Sequence, residues 1–143
     1  MQSTYIDTSI LVKRYINEPG STELESRLLQ EQPYLVVSEL GRAEFISTVG
    51  RKVRQRQLPP HATALLYARF LEDVESSAIA LLPLDSRIVQ QAVGLMRQLT
   101  QALATLDALH LATALQHKAG ILFTADAQLA RAAEEAGLAT WGA

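Results

Sequence analysis

Short apolar runs rich in β-branched and aromatic residues recur along the chain at Thr4–Thr8, Pro33–Val37, Ile79–Leu84 and Ile121–Ala125, separated by longer stretches of helical period. Strands of this length alternating with helices predict a parallel sheet joined by crossover helices. Helices are expected over about Ser9–Ile16 and Ser21–Gln30, the first stopped by Pro19-Gly20 and the second capped by Ser21 or Thr22. Ser38 suits the start of a long helix reaching Gln57, which Pro59-Pro60 ends, and His61–Glu75 completes a helical hairpin. Asp85 or Ser86 caps a helix to Leu99, and Thr105 caps another to Lys118 with Gly120 just beyond. A last helix spans Asp126–Ala136, Gly137 ends it, and Leu138–Trp141 reads as a short edge strand.

With 143 residues and 48% hydrophobic content, the chain has material for one sizeable core, and a single domain over residues 1–143 is expected. The absence of cysteine excludes disulfides and thiolate zinc sites and suits a reducing, cytoplasmic setting. The longest apolar stretch, Ala78 to Leu84, is interrupted by Pro83 and is far too short to span a bilayer, so no membrane partner is expected. A net charge of −2 argues against binding nucleic acid through bulk positive charge. Its distribution changes that picture. Five of the 13 basic residues, Arg42, Arg51, Lys52, Arg54 and Arg56, fall within fifteen positions, as either a solvated helix end or a patch for phosphates.

Asp7 and Asp126 each follow an apolar strand and precede a helix, which places both on the rim where open parallel sheets bind ligands. A helix cap is the plainer reading of either one alone. Asp107 lies in the first turn of its helix above Leu111 and Ala114, so its carboxylate borders the buried stripe and needs a partner. Glu44 projects away from the apolar face set by Phe45, Ile46, Val49 and Val53, as a surface glutamate would. Arg51 stands two turns along the same helix. Of the three histidines, His110 reads mainly as packing, with Asp107 three residues before it as a hydrogen-bonding candidate. No pair has the spacing of an HExxH zinc site.

Four segments then carry a resemblance: Tyr-Ile-Asp-Thr-Ser (5–9), Ser-Glu-Leu-Gly-Arg-Ala-Glu-Phe (38–45), Leu-Asp-Ala-Leu-His-Leu-Ala-Thr-Ala (106–114) and Phe-Thr-Ala-Asp (123–126). Together they resemble the PIN-domain signature in its VapC toxin form, across nearly the whole chain. The resemblance implies a three-layer α/β/α fold with a mostly parallel sheet of four or five strands. It also implies ribonuclease activity dependent on Mg²⁺ or Mn²⁺, and a homodimer held by a cognate antitoxin. Its acids fall on Asp7, Glu44, Asp107 and Asp126, with Thr8 or Ser9 supplying the hydroxyl after the first acid. Ala104 and Gln128 depart from the pattern, the second replacing a further acid that many relatives carry.

On this reading Asp7, Asp107 and Asp126 hold the ion, Asp7 and Asp126 most directly, while Asp107 or Glu44 reaches it through water. Activated water attacks the RNA phosphodiester and leaves 5′-phosphate and 3′-hydroxyl ends. Arg42, Arg51, Lys52 and Arg54 contact the RNA backbone, with Lys13 and Arg14 as further candidates. An aromatic content of 6% supplies no stacking platform for sequence readout. Two other classes remain: a non-catalytic interaction module on the same fold, and phosphoryl transfer through Asp7. The second is disfavoured because Ser9 stands where such enzymes carry another aspartate.

Overall fold

In the computed structural model, which describes residues 2–142, the apolar runs become five strands: β1 (Ser3–Ile6), β2 (Tyr34–Ser38), β3 (Ile79–Leu82), β4 (Ile121–Thr124) and β5 (Ala139–Gly142). They form one sheet in the order β3-β2-β1-β4-β5, and every neighbouring pair is parallel. Because side chains alternate across a strand, Tyr5, Val36 and Leu122 enter the core on one face, while Ile6, Leu35, Val37 and Phe123 enter the core on the other. A sheet buried on both faces explains why the strands read as continuous apolar runs.

Helices α1 (Thr8–Tyr15), α2 (Ser21–Glu31), α3 (Glu39–Arg54) and α4 (Ala62–Glu75) cover the face of Ile6 and Phe123. Helices α5 (Ser86–Gln98), α6 (Thr105–Gln116) and α7 (Ala127–Glu135) cover the other, completing three layers. The chain steps from β1 outward to β2 and β3, then returns to place β4 on the opposite side of β1. The order therefore reverses between β1 and β4, and their carboxyl ends flank the crevice where such sheets bind ligands. Among the described residues no helix is long and apolar enough to cross a membrane.

Several boundaries differ from the sequence expectation for identifiable reasons. Gly20, at φ 96°, is the N-cap of α2, and Ser21 is its first residue, with a buried hydroxyl donating to the Lys13 and Ile16 carbonyls. Ala104 occupies the N-cap of α6 without a side-chain bond, so Thr105 is helical. Helix α3 ends at Arg54, before the two prolines, and Arg56 takes the left-handed turn at φ 60°. After α6 that conformation falls to Lys118, at φ 55°, and not to Gly120. Asp7 and Thr8 leave β1, which ends at Ile6, and β3 stops at Leu82 before Pro83.

Candidate active site

Asp7 and Asp126 do serve as caps, and the caps are what aim them. Asp7 is 5% exposed; its Oδ1 accepts from the Ile10 amide at 3.2 Å and from Ser9 Oγ at 2.6 Å. Its Oδ2 accepts from Thr124 Oγ1 at 2.6 Å. The same two hydroxyls reach across to the next loop: Thr124 Oγ1 accepts from the Asp126 amide and Ser9 Oγ from the Ala125 amide, each at 3.0 Å. Asp7 and Asp126 are thus joined through side chains at the end of β4, at the switch point. Asp126 Oδ1 accepts from the Gln128 and Leu129 amides at 2.9 and 3.3 Å, and among the described residues its exposed carboxylate makes no hydrogen bond through Oδ2.

Glu44 departs furthest from its sequence reading. Although it lies off the apolar stripe of α3, its Oε1 accepts from Thr8 Oγ1 at 2.7 Å and lies 2.6 Å from His110 Nε2. His110 is 3% exposed and bonds Glu44, not Asp107; its Nδ1 lies 2.5 Å from the Tyr5 hydroxyl. Burial opposes ionisation of Glu44, but the hydrogen bonds from His110 and Thr8 outweigh it and hold the carboxyl below its usual range. An ionised carboxylate only accepts, so the Nε2 proton is donated to Glu44. Burial pushes the Tyr5 phenol well above its ordinary range, so the group bonded to Nδ1 stays a neutral hydroxyl.

Gly41 lets α3 pack tightly against Val37 of β2, beside the partners of Glu44. A Cβ there would sit 3.0 Å from Val37 Cγ1, with His110 Cε1 at 3.8 Å and Thr8 Oγ1 at 3.9 Å. Sequence reasoning missed the role of Gly41 and of Thr124. The available signal was their place within the two segments that also carry Glu44 and Asp126.

Asp107 is half-buried and, among the described residues, makes no side-chain hydrogen bond or ion pair. Burial, then the charge of Asp126 and more weakly those of Asp7 and Glu44, push its carboxyl up, against an opposing pull from His110. The four acids therefore feel one another at a single rim. Among the described residues, no three His, Asp or Glu side chains yet close around one point as a finished ligand sphere. The donor set nevertheless fits a hard divalent cation: oxygens only, a half-buried acid coupled to the other three, and, among the described residues, carboxylate oxygens without hydrogen bonds on Asp126 and Glu44.

The basic run separates in space. Arg42 bonds Glu39 and reaches Tyr67 at 3.4 Å, lining an apolar cleft between α3 and α4. Arg51 and Lys52 instead line a small polar pocket with Thr8 and Ser9, while Arg54 is exposed near the end of α3. Lys13 is held by Glu18 at 3.1 Å and Arg14 by Asp73 at 3.6 Å, so both first-helix cations are already paired.

A parallel sheet with acids gathered at its switch point is the architecture of a small nuclease-type α/β/α domain. The chain belongs to the PIN domain family, whose family model matches residues 4–135. It is 33% identical over 142 residues to Ribonuclease VapC47 of Mycobacterium tuberculosis (strain CDC 1551 / Oshkosh), covering 95% of this chain and 93% of that protein. In fold it is similar to FitAcB from Neisseria gonorrhoeae, with a TM-score of 0.70, 19% identity and coverage of 97% and 96% of the two chains. A toxin-antitoxin complex from Klebsiella pneumoniae gives a TM-score of 0.62 at 22% identity, covering 87% of each chain.

Proposed function

We propose that the chain is a divalent-metal-dependent endoribonuclease and the toxin of a toxin-antitoxin pair. The observation that carries this is Asp107, a half-buried carboxylate that has no hydrogen-bond or ion-pair partner among the described residues and that feels the charges of Asp126, Asp7 and Glu44. Full-length similarity to a protein named as a ribonuclease supports the substrate class.

Asp7, Asp107 and Asp126 hold the ion, Mg²⁺ or Mn²⁺. When bound, it supplies Lewis acidity toward the scissile phosphate and lowers the pKa of a water. Ser9 and Thr124 fix the Asp7 carboxylate, and through the loop amides they fix Asp126 beside it. Glu44, ionised and anchored through Oε1, has its second oxygen without a hydrogen bond among the described residues, and that oxygen orients the attacking water and accepts its proton. The reaction needs no RNA 2′-hydroxyl, and its products carry 5′-phosphate and 3′-hydroxyl ends. Arg51 and Lys52 meet the RNA backbone and Arg54 adds positive charge beside them; Arg42, engaged by Glu39 and Tyr67, stands at the margin.

The antitoxin has a candidate seat in the open apolar cleft of about 910 Å³ between α3 and α4, lined by Ala43, Ile46, Pro60, Ala64 and Tyr67. The homodimer belongs to the same proposal, and the exposed stripe Val89, Val93 and Met96 along α5 is its candidate surface. A cytoplasmic setting suits a chain without cysteine.

The test is incubation of the antitoxin-free chain with total RNA in Mg²⁺, Mn²⁺ or EDTA, beside a folded Asp7→Asn variant, with sequencing of fragment ends. Metal-dependent cleavage giving 5′-phosphate ends and lost in the variant is expected. Cleavage that survives Asp7→Asn, or that proceeds in EDTA, overturns the reading.

A further inference from the structure

A second cavity adjoins the acids, of about 290 Å³, lined by Thr8, Ser9, Glu18, Thr48, Arg51 and Lys52. Two of these residues belong to both places. Thr8 donates to Glu44 at 2.7 Å and Ser9 to Asp7 at 2.6 Å, so the cavity begins where the acid cluster ends. Glu44, Thr48 and Arg51 follow one another at i, i+4 and i+7 along α3. At 1.5 Å rise per residue, the hydroxyl-bearing and guanidinium-bearing residues stand about 6 Å and about 10 Å along the axis from the carboxylate-bearing one.

We infer that this cavity is a subsite for one backbone phosphate of the RNA strand, the neighbour of the phosphate being cut, and that Glu18 competes with it from within the protein. The inference rests on the nuclease reading for the identity of the strand. The chemistry is that of phosphate recognition: the Thr48 hydroxyl as a donor, a guanidinium with fixed fork geometry and an ammonium. Arg51 has no carboxylate partner among the described residues, so its five donors are uncommitted. Lys52 is held less firmly, its Nζ lying 3.7 Å from Glu18 Oε2, while Glu18 Oε1 binds Lys13 at 3.1 Å. One carboxylate thus offsets two ammonium groups at the cavity wall. A phosphate entering the cavity takes Lys52 away from Glu18 and exchanges one anion for another.

This separates residues that the sequence presents as one basic run. Arg51 and Lys52 act at a defined place, whereas Arg54, exposed outside the cavity, adds only diffuse charge. It also gives a carboxylate a negative role in RNA binding. Neutralising Glu18 releases Lys13 and Lys52 and removes a charge that repels the strand.

The test is fluorescence anisotropy of a labelled single-stranded RNA 12-mer of mixed sequence with the full chain in EDTA, which blocks metal-dependent cleavage, over a series of salt concentrations. Arg51→Ala is expected to weaken binding by about tenfold and to flatten the log–log salt slope by about 0.7, the value of one lost single-strand phosphate contact. Arg51→Lys restores the slope, because one charge remains. Glu18→Gln tightens binding by about threefold, and Arg54→Ala changes it by less than about twofold. Thermal melts confirm that each variant is folded. Equal losses from Arg51→Ala and Arg54→Ala, or unchanged affinity in folded Glu18→Gln, overturn the subsite and leave the nuclease reading intact. The expected binding pattern without metal-dependent cleavage by the unaltered chain overturns the nuclease reading and leaves the subsite intact.

Discussion

His110 Nε2 lies 2.6 Å from Glu44 Oε1, joining a ring from α6 to a carboxylate from α3 across 66 residues of sequence. The ring is itself fixed at Nδ1 by Tyr5 from β1, so three elements set the direction of one carboxylate. His110→Ala removes that support, orphans the Tyr5 hydroxyl and opens a cavity, and is expected to cost about 2–4 kcal/mol. Cleavage falls by about 10–100-fold, carried by kcat. His110→Gln keeps a donor for Glu44 and recovers part of kcat. Melting curves and single-turnover kinetics on both variants check this.

Asp107 opposes the fold it serves. Its carboxyl is raised in the folded chain, so its favourable contribution is complete below the ordinary aspartate range and disappears as pH rises through the raised value. At pH 7 without divalent ions, Asp107→Asn therefore melts at a higher temperature than the unaltered chain, and the difference vanishes in acid. Saturating Mn²⁺ raises the Tm of the unaltered chain and barely moves that of the variant. Melting scans across pH, with EDTA or Mn²⁺, measure both signs.

Thr124 and Ser9 tie Asp7 to the loop of Asp126, but Thr124 is almost wholly buried and Ser9 is only half so. Thr124→Val preserves shape, leaves Asp7 Oδ2 and the Asp126 amide without their partner, and is expected to cost about 2–3 kcal/mol. Ser9→Ala costs about 1 kcal/mol because water reaches the freed groups. Both lower cleavage, Thr124→Val more strongly, in denaturant titrations paired with RNA cleavage assays.

Gly41→Ala places a methyl 3.0 Å from Val37 Cγ1, so Val37 and α3 must part by a few tenths of an ångström beside the partners of Glu44. A stability loss of about 1–2 kcal/mol is expected from the crowding. A larger effect falls on cleavage, about tenfold, because the displaced helix carries Glu44. Thermal melts and cleavage rates separate the two effects.

The strands were legible because a sheet covered on both faces requires apolar runs, and Asp7 and Asp126 were legible because they end two of those runs. Glu44 was not. Helical periodicity puts it off the apolar stripe, and its partners Thr8 and His110 come from 36 and 66 residues away. Its functional assignment came from resemblance, not from pattern. The partner of His110 was hidden in the same way: local spacing offers Asp107 as its nearest acid, while the fold brings Glu44 to it. The basic run misled in the opposite direction. Residues contiguous in sequence diverge around a helix, so Arg42 meets Tyr67 while Arg51 and Lys52 meet a polar cavity. Caps at Ser21 and Thr105 failed because Gly20 and Ala104 already supply the required backbone conformation one residue earlier.

The proposed function needs a divalent cation among the acids at the β1–β4 switch point, and anomalous diffraction from crystals of the chain grown with Mn²⁺ locates it. A manganese peak is expected among Asp7, Asp107 and Asp126, absent from crystals of Asp107→Asn. A peak only at other residues, or an unchanged peak in the variant, contradicts it.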